Sequence, residues 1–235
     1  MKTQNIDRKH DLLDRAKQYH HTQIYLPAKE NYIRGLFHKP NGVSTYGAKE
    51  VEPIVDNDAL YDLKPEDAWL TVNHYNALVL NTHNMLIADI DFGDQRLNRF
   101  AGAKDCDDVL ANMKELHLLD DENKDFDFAS QFYRIYRTHS GCRVICTSVP
   151  VSWGWEAESF MRFLRADPEY IKLCRIQKCY RARLTPKPWR EKSNPAKVCV
   201  LEGIHGKDEV AFELAEQLRL HDELTLADDE LSCLA

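Results

Sequence analysis

The sequence predicts an α+β fold, with one main domain of helices and antiparallel strands behind an N-terminal extension. Apolar runs of strand length cluster within residues 68–91 and again within 131–147, and short turns interrupt both clusters. Between and after these clusters, apolar residues recur every three or four positions, as amphipathic helices require. We therefore divide the chain into an N-terminal helix with an irregular extension (1–67), a core (68–222) and a C-terminal tail (223–235).

The first cluster of strands leads to a pair of aspartates. Strands are predicted at Ala68–Val72 and at 75–80, and a turn at 82–84 precedes the apolar run that starts at Met85. Because only this short turn separates the second strand from the Met85 strand, the two are predicted to form an antiparallel hairpin that ends in the aspartates.

The remaining elements follow the same two periods. A second hairpin is predicted from 131–137 to 142–147, and residues 198–201 are a short strand candidate. Pro168 suits the first turn of a helix. Helices are predicted where apolar residues recur at helical spacing: 7–21, 96–119, 155–164, 168–177 and 209–221.

Composition places the chain among globular proteins. Its 235 residues are 43% hydrophobic and 29% charged, and no window approaches the roughly 18 apolar residues of a membrane helix. Residues 1–21 lack the apolar core of a signal peptide, so we expect a cytoplasmic protein with no membrane partner. The seven cysteines include no C-x-x-C pair, which favours buried reduced thiols over a disulfide framework or a zinc site.

Charge is unevenly distributed along the chain. The net charge is −7, yet residues 172–197 are strongly basic whereas residues 105–127 are acidic. Such asymmetry allows an acidic protein to carry a local anion-binding surface. The alternative is a solvated basic face that forms ion pairs with the acidic segment.

The stretch from Asn84 to Asp94 (NMLIADIDFGD) contains the strongest catalytic candidates, Asp89 and Asp91. On a strand, residues i and i+2 share a face, so the two carboxylates would project together at the end of the strand. Adjacent carboxylates repel each other, and a divalent cation held between them removes the repulsion. Asp89 and Asp91 are therefore candidate ligands of Mg²⁺ or Mn²⁺. In the alternative, Asp91 caps a turn and Asp89 faces solvent.

The turn of the second hairpin is a candidate anion site. His139, Ser140 and Gly141 form it, and Arg143 follows where a strand side chain could point into a cleft. Backbone N–H groups of a Ser-Gly turn and the forked donors of arginine both suit phosphate oxygens. We predict that His139, Ser140 and Arg143 bind nucleotide or nucleic acid. The alternative is an ordinary hairpin with solvent-facing arginines.

A basic segment, CYRARLTPKPWR, covers residues 179–190. Two arginines alternate on one face of a predicted strand, and two further cations follow in a proline-bracketed stretch around Trp189. Fixed cations beside an aromatic ring are typical of sites for nucleic acid or nucleotide phosphates. The predicted binding residues are Arg181, Arg183, Lys187 and Arg190. The alternative places Trp189 in the core and the cations on an edge strand.

Taken in order, these motifs resemble the archaeo-eukaryotic primase superfamily, the primase-polymerases. An apolar strand ending in D-x-D, as in Ile87-Ala88-Asp89-Ile90-Asp91, is that family's first motif. The family's second motif places a histidine on the strand after a glycine turn, where this chain has Cys142 or Arg143. The family's third motif, a lone acid on a later strand, has no clean match here. The basic segment resembles the family's nucleotide-contacting region, and the resemblance covers about residues 68–190.

The resemblance implies a core with an RRM-like, mainly antiparallel sheet flanked by helices. Asp89 and Asp91 would hold Mg²⁺ or Mn²⁺ at a nucleoside triphosphate, while the arginines and Lys187 would neutralise phosphate charge. The leading hypothesis is thus a metal-dependent nucleotidyltransferase acting on nucleotides and nucleic acid. A second hypothesis is a catalytically inactive protein that binds nucleic acid or nucleotide. The third is a small-molecule phosphohydrolase or transferase that uses the two aspartates.

Overall fold

The computed structural model describes residues 54–55, 63, 66–73, 77–93, 103–116, 126–185 and 199–225. These residues form four helices and two four-stranded sheets, the α+β architecture that the sequence predicts. The strands are β1 (Ile54–Val55), β2 (Ala68–Val72), β3 (Leu78–Thr82), β4 (Ile87–Asp91), β5 (Tyr133–Thr138), β6 (Gly141–Cys146), β7 (Tyr180–Arg183) and β8 (Cys199–His205). The helices are α1 (Cys106–Lys114), α2 (Trp155–Phe163), α3 (Pro168–Gln177) and α4 (Phe212–Thr225), and none is long and apolar enough to cross a membrane.

The first sheet has the strand order β1-β2-β3-β7, and every neighbouring pair is antiparallel. One of its faces joins the hydrophobic core through Leu70, Leu80 and Ala182, which lie opposite one another on β2, β3 and β7. The alternating residues Arg181 and Arg183 therefore lie on the other face of β7.

The second sheet has the order β4-β6-β5-β8, again entirely antiparallel. The predicted hairpin of β5 and β6 is confirmed, and its turn packs closely against the end of β4. Gly141 lies opposite Asp91, where a Cβ atom would stand only 2.0 Å from the carbonyl oxygen of Ile90. A side chain is therefore excluded at this position, which explains the glycine.

The predicted hairpin between β3 and the Asp89 strand is wrong. The chain passes from the first sheet to the second between them, since β3 pairs with β2 and β7 whereas β4 pairs with β6. Thr82, Asn84 and Gln217 hold this corner through side-chain hydrogen bonds that tie it to α4. The short connection is a sheet-to-sheet crossing, which hydrophobic periodicity does not distinguish from a hairpin turn.

The other predicted elements are found with shifted ends. Helix 96–119 is helical at Cys106–Lys114 in its described part, and it begins after the N-cap Asp105, whose side chain accepts a hydrogen bond from Asp108 N. The helix at 209–221 is displaced to Phe212–Thr225, and the strand at 198–201 extends to His205. The predicted helix at 7–21 lies outside the described residues.

Two different surfaces cover the second sheet. α1 and α2 pack on one face, where Phe160 stacks on Tyr133 with ring centroids 5.2 Å apart. α4 packs on the opposite face, where His221 meets the ring of Tyr136 edge-on at 4.9 Å. We call the face under α1 and α2 the apolar face of the second sheet, and the face under α4 the ionic face.

The connectivity of the second sheet agrees with part of the RRM-like prediction. The run β4-α1-β5-β6 places β6 between β4 and β5, as a split β-α-β unit does. The strand that would complete an RRM-like sheet beside β4 is β7, but β7 pairs with β3 in the first sheet. The α+β class is therefore confirmed, and the RRM-like description stays a prediction.

Candidate functional site

The two aspartates of the D-x-D motif lie on one face of β4 at its C-terminal end. Asp89 stands opposite Arg143 and Asp91 opposite Gly141 in the antiparallel pairing with β6. Asp91 is exposed, whereas the Asp89 side chain keeps 33% of its surface accessible. The strand geometry therefore brings the predicted pair together at an edge that solvent reaches.

Asp89 already has a cationic partner within the protein. The buried Arg143 forms a forked contact with it, Nε to Oδ1 at 2.8 Å and Nη2 to Oδ2 at 3.4 Å. Nη1 of the same arginine donates to the carbonyl oxygen of Arg183 at 3.3 Å and lies 3.1 Å from His221 Nε2. Burial is the largest single influence on Arg143 and opposes its charge, but the charge and hydrogen bond of Asp89, together with Cys199 and Tyr170, raise the pKa of the guanidinium. Arg143 is thus fully engaged inside the protein, although we predicted it to contact phosphate.

The ionic face continues this contact into a chain of alternating charges. His221 Nδ1 lies 2.8 Å from Asp222 Oδ1, so we assign the imidazole proton to Nδ1 and the acceptor role to Nε2, which faces Arg143. Asp222 Oδ2 accepts from Arg134 Nη1 at 2.8 Å, and Arg134 Nε donates to Asp208 Oδ1 at 2.8 Å. These contacts link acidic and basic side chains in a series that starts at Asp89 on β4, crosses the sheet to Asp222 on α4 and ends at Asp208.

A gap without ladder hydrogen bonds separates β4 from β7, and side chains bridge it. The Tyr170 hydroxyl donates to the carbonyl oxygen of Ile87 at 3.0 Å and accepts from the backbone N–H of Arg181 at 3.2 Å. Arg143 makes the second bridge, because it joins the Asp89 side chain to the backbone of Arg183. The edges of the two sheets therefore meet through a tyrosine and an arginine, in what we call the β4–β7 gap.

The start of α3 enters the β4–β7 gap beside Asp89. Asp167 caps the helix by accepting from Glu169 N, and its own N–H donates to the carbonyl oxygen of Asp89 at 2.9 Å. Burial raises the pKa of the Asp167 carboxyl, and the nearby Asp89 charge adds to the increase. The candidate site is thus acidic at its mouth and closed at its base by Arg143 and Tyr170.

The other predicted binding residues are dispersed around this centre. His139 and Ser140 are exposed at the β5–β6 turn, where the Ser140 carbonyl oxygen accepts from Phe92 N at 2.9 Å. Arg181 and Arg183 are half-buried and share the face of β7 opposite Ala182, next to the buried Asn81 and Val79 of β3. Lys187 and Arg190 lie outside the described residues. Asp89, Asp91 and Arg143 are therefore brought together, while Arg181 and Arg183 lie on a different strand, β7 of the first sheet.

The sequence reasoning missed several residues that build the site. Tyr170 and His221 lie in predicted helices, and Asp222 directly follows the helix that was predicted to end at residue 221. Their polar contacts reach strands far away in the chain. One signal was present, because His221 follows Leu214 and Leu218 at helical spacing and so falls on the predicted buried stripe. A histidine and an aspartate at the buried side of a helix need hydrogen-bond partners, so their presence there indicated a polar site within the fold.

The donor set around Asp89 suits a metal ion only in one mode. No group of three or more histidine, cysteine, aspartate or glutamate side chains in the described part of the chain is arranged to hold a metal. Mg²⁺, however, is often held by one or two carboxylates together with substrate phosphates. Asp89 and Asp91 fit that mode, provided that Asp89 shares its oxygens with Arg143.

No protein-family model, no curated protein sequence and no solved structure matches this chain. The resemblance to the primase-polymerases therefore stays a prediction.

Proposed function

We propose that this protein binds single-stranded nucleic acid or nucleotides and does not catalyse nucleotidyl transfer. The observation that carries the proposal is the forked Arg143–Asp89 contact, in which a buried guanidinium supplies the positive charge that a metal would supply in an active enzyme. Arg143 is in turn held by His221 and by the backbone of Arg183, so its cation is a fixed part of the fold.

Arg181 and Arg183 are the described residues that would contact phosphate. They point to the face of β7 opposite Ala182, which is in the core, and they stand beside Asn81 and Val79 on β3. Side chains held on a strand lose less conformational entropy on binding than side chains on a loose loop. Two arginines at strand spacing can therefore follow a phosphate backbone, and Lys187 and Arg190 would extend this basic surface along the chain.

The test is binding of a fluorescently labelled single-stranded oligonucleotide, measured by anisotropy over a series of salt concentrations. Counterion release gives a slope of about 0.7 per phosphate contact, so Arg181→Ala combined with Arg183→Ala should reduce the slope of log affinity against log salt by roughly 1.4. The affinity should fall in parallel, while thermal unfolding reports whether the double variant is still folded.

A matched control removes the same charge elsewhere. Arg162→Ala combined with Arg175→Ala deletes two arginines that pair with Glu158 on α2 and α3. This variant should bind the oligonucleotide nearly as well as the wild type. Equal binding by the wild type and the Arg181/Arg183 variant would contradict nucleic-acid binding through these two arginines. A loss of thermal stability without a loss of affinity would assign the two arginines to ion pairs instead.

A second candidate is metal-dependent nucleotidyl transfer, which the shared face of Asp89 and Asp91 favours. In that case the two carboxylates would hold Mg²⁺ or Mn²⁺ together with a triphosphate, and the metal would neutralise the charge developing on the phosphate. Asp91→Asn is the sharper variant because Asp91 does not form the Arg143 contact. Calorimetric Mn²⁺ binding with nucleotide present, together with primer extension that Asp91→Asn abolishes, would establish this function over binding alone. A small-molecule phosphohydrolase would release phosphate without binding the oligonucleotide.

A further inference from the structure

His221 is fully buried between α4 and the ionic face, and polar groups meet both of its ring nitrogens. Nδ1 lies 2.8 Å from Asp222 Oδ1. Nε2 has two neighbours, Arg143 Nη1 on β6 at 3.1 Å and Cys199 Sγ on β8 at 3.9 Å. The ring of Tyr136 on β5 meets the imidazole edge-on. The imidazole therefore contacts side chains from three neighbouring strands of the second sheet.

The two neighbours of Nε2 differ in the hydrogen bonds they can form. A guanidinium only donates, whereas a thiol is both a weak donor and a weak acceptor. A neutral imidazole with its proton on Nδ1 therefore accepts from Arg143 at Nε2. An imidazolium carries a proton on each nitrogen, so its Nε2–H would face the donor and the positive charge of Arg143. The Cys199 sulfur is then the neighbour that can accept from Nε2.

We propose that His221 is a proton switch that sets how firmly Arg143 is held. In the neutral state, Nε2 accepts from Arg143 Nη1. When the imidazole takes a proton from solvent, Nε2 donates to Cys199 Sγ and the contact with Nη1 is released. Nδ1 donates to Asp222 in both states. The switch acts at the base of the candidate site and is independent of what that site binds.

The surroundings of the ring allow both states within the folded protein. Burial and the Arg143 charge oppose a proton on His221, but Cys199 and the hydrogen bond to Asp222 favour it and raise the pKa of the imidazole. A raised pKa means that the proton stabilises the fold below the ordinary histidine pKa of 6.5, and that this contribution is lost as the pH rises through the folded value. Protonation of His221 therefore changes contacts without unfolding the protein.

The release leaves Arg143 with fewer contacts. Its Nε and Nη2 still meet the carboxylate of Asp89 on β4, and Nη1 keeps the carbonyl oxygen of Arg183 at 3.3 Å. The contact that is lost is the one that joins this guanidinium to α4. Because a less firmly held N–H group exchanges its proton with water faster, the change is measurable.

The test follows both side chains by proton–nitrogen NMR in the folded full-length protein, over a pH series that starts at about 5 and passes above 8. We expect the nitrogen shifts of His221 to show protonation of Nε2 with one midpoint as the pH falls. Exchange of the Arg143 guanidinium protons should become faster with the same midpoint. Exchange with water is base-catalysed and ordinarily slows over this range, so an acceleration identifies the release.

Three variants assign the effect. His221→Gln removes the titrating group but keeps a polar side chain, so exchange at Arg143 should then slow steadily as the pH falls. Cys199→Ala removes the acceptor for the protonated ring and should shift the midpoint to lower pH. His205→Gln is the matched control, because it removes a half-buried histidine of β8 that meets Tyr133 on the apolar face. It should leave both midpoints unchanged.

The wild-type titration decides the question for any variant that circular dichroism shows to be unfolded. A His221 that keeps one protonation state throughout the series would overturn the proposal. So would exchange at Arg143 that slows steadily through the midpoint of His221, or an acceleration that persists in folded His221→Gln protein.

Discussion

The two faces of the second sheet are formed by the same strands but bury opposite kinds of side chains, apolar on one face and charged on the other. On the apolar face, Val144 and Ile135 lie in one cross-strand row, and Tyr133 stacks under Phe160 of α2. On the ionic face, the alternate residues include Asp89 and Arg143, which α4 covers with His221 and Asp222. One register thus supports a conventional hydrophobic core and a buried charge chain within a single layer of backbone.

The comparison shows that the two faces are stabilised in different ways: the apolar face by the surface area it buries, and the ionic face by the pairing of every buried charge. Apolar burial stabilises roughly in proportion to the surface removed from water, so a small change on the apolar face costs a small amount. Buried charges are tolerated only when every member has its partner, because an unpaired buried ion carries the full cost of its desolvation. The ionic face should therefore tolerate substitutions less well than the apolar face.

The largest effect is expected at Arg143. Arg143→Ala leaves Asp89 and His221 without their shared donor and opens a cavity at the base of the β4–β7 gap, so the free energy of unfolding should fall by about 3–5 kcal/mol. Urea denaturation followed by circular dichroism measures it. Replacing the pair together, Asp89→Leu with Arg143→Met, should recover much of the loss. A double variant as unstable as Arg143→Ala would mean that the pair does not act as a unit.

Tyr170→Phe tests the second bridge across the β4–β7 gap. It removes the hydroxyl that joins Ile87 to Arg181 and leaves two buried backbone groups without their partner. The expected loss is about 1–3 kcal/mol, the usual cost of an unsatisfied buried group. Hydrogen exchange should show faster exchange of the Arg181 amide in this variant, and an unchanged rate would place the bridge elsewhere.

Met161→Leu represents the tolerant side of the comparison. Met161 is buried on α2, the helix that covers the apolar face, and leucine has nearly the same volume. Such swaps usually cost less than about 1.5 kcal/mol. Arg143→Lys, which is equally conservative in charge, should cost more because lysine lacks the fork that meets both oxygens of Asp89. If the two substitutions cost the same, the two faces do not differ in the way described.

The smallest effect is expected at an ion pair on the surface. Glu158 accepts hydrogen bonds from Arg175 and Arg162, of which the contact with Arg175 contributes most to the lowering of its pKa. Glu158→Gln should cost less than about 1 kcal/mol at pH 7, because solvent screens exposed pairs. A lowered pKa stabilises the fold fully above the ordinary pKa of 4.5, and this contribution is lost as the pH falls through the lower pKa of the folded state. The difference between variant and wild type should therefore vanish over that pH range. A difference that persisted at pH 2 would have another origin.

Local pattern predicted much of this fold, and long-range pairing accounts for what it missed. The β5–β6 hairpin and the shared face of Asp89 and Asp91 follow from period-two alternation and turn residues within a few positions of one another. One partner of β3 is β7, about a hundred residues away, and nothing in residues 75–91 distinguishes that partner from the neighbouring β4.

The same limit applies to the candidate site. The positions of Asp89 and Arg143 on their strands were predictable, but their contact requires knowing that β4 lies beside β6. His221 meets Arg143 only because α4 packs over the ionic face, and no local pattern encodes that packing. The sequence therefore predicted the aspartate motif. It placed Arg143 on a strand but did not predict that Arg143 neutralises Asp89.

The β4–β7 gap has one further consequence. Ladder hydrogen bonds join backbone to backbone, so changing side chains cannot remove them, but here Tyr170 and Arg143 bridge two sheet edges with side chains alone. Substitution of those two residues would therefore remove both bridges across the gap without altering either set of strand pairings. If the sheet were continuous at this point, backbone hydrogen bonds would join the two strands, and no side-chain substitution could remove them.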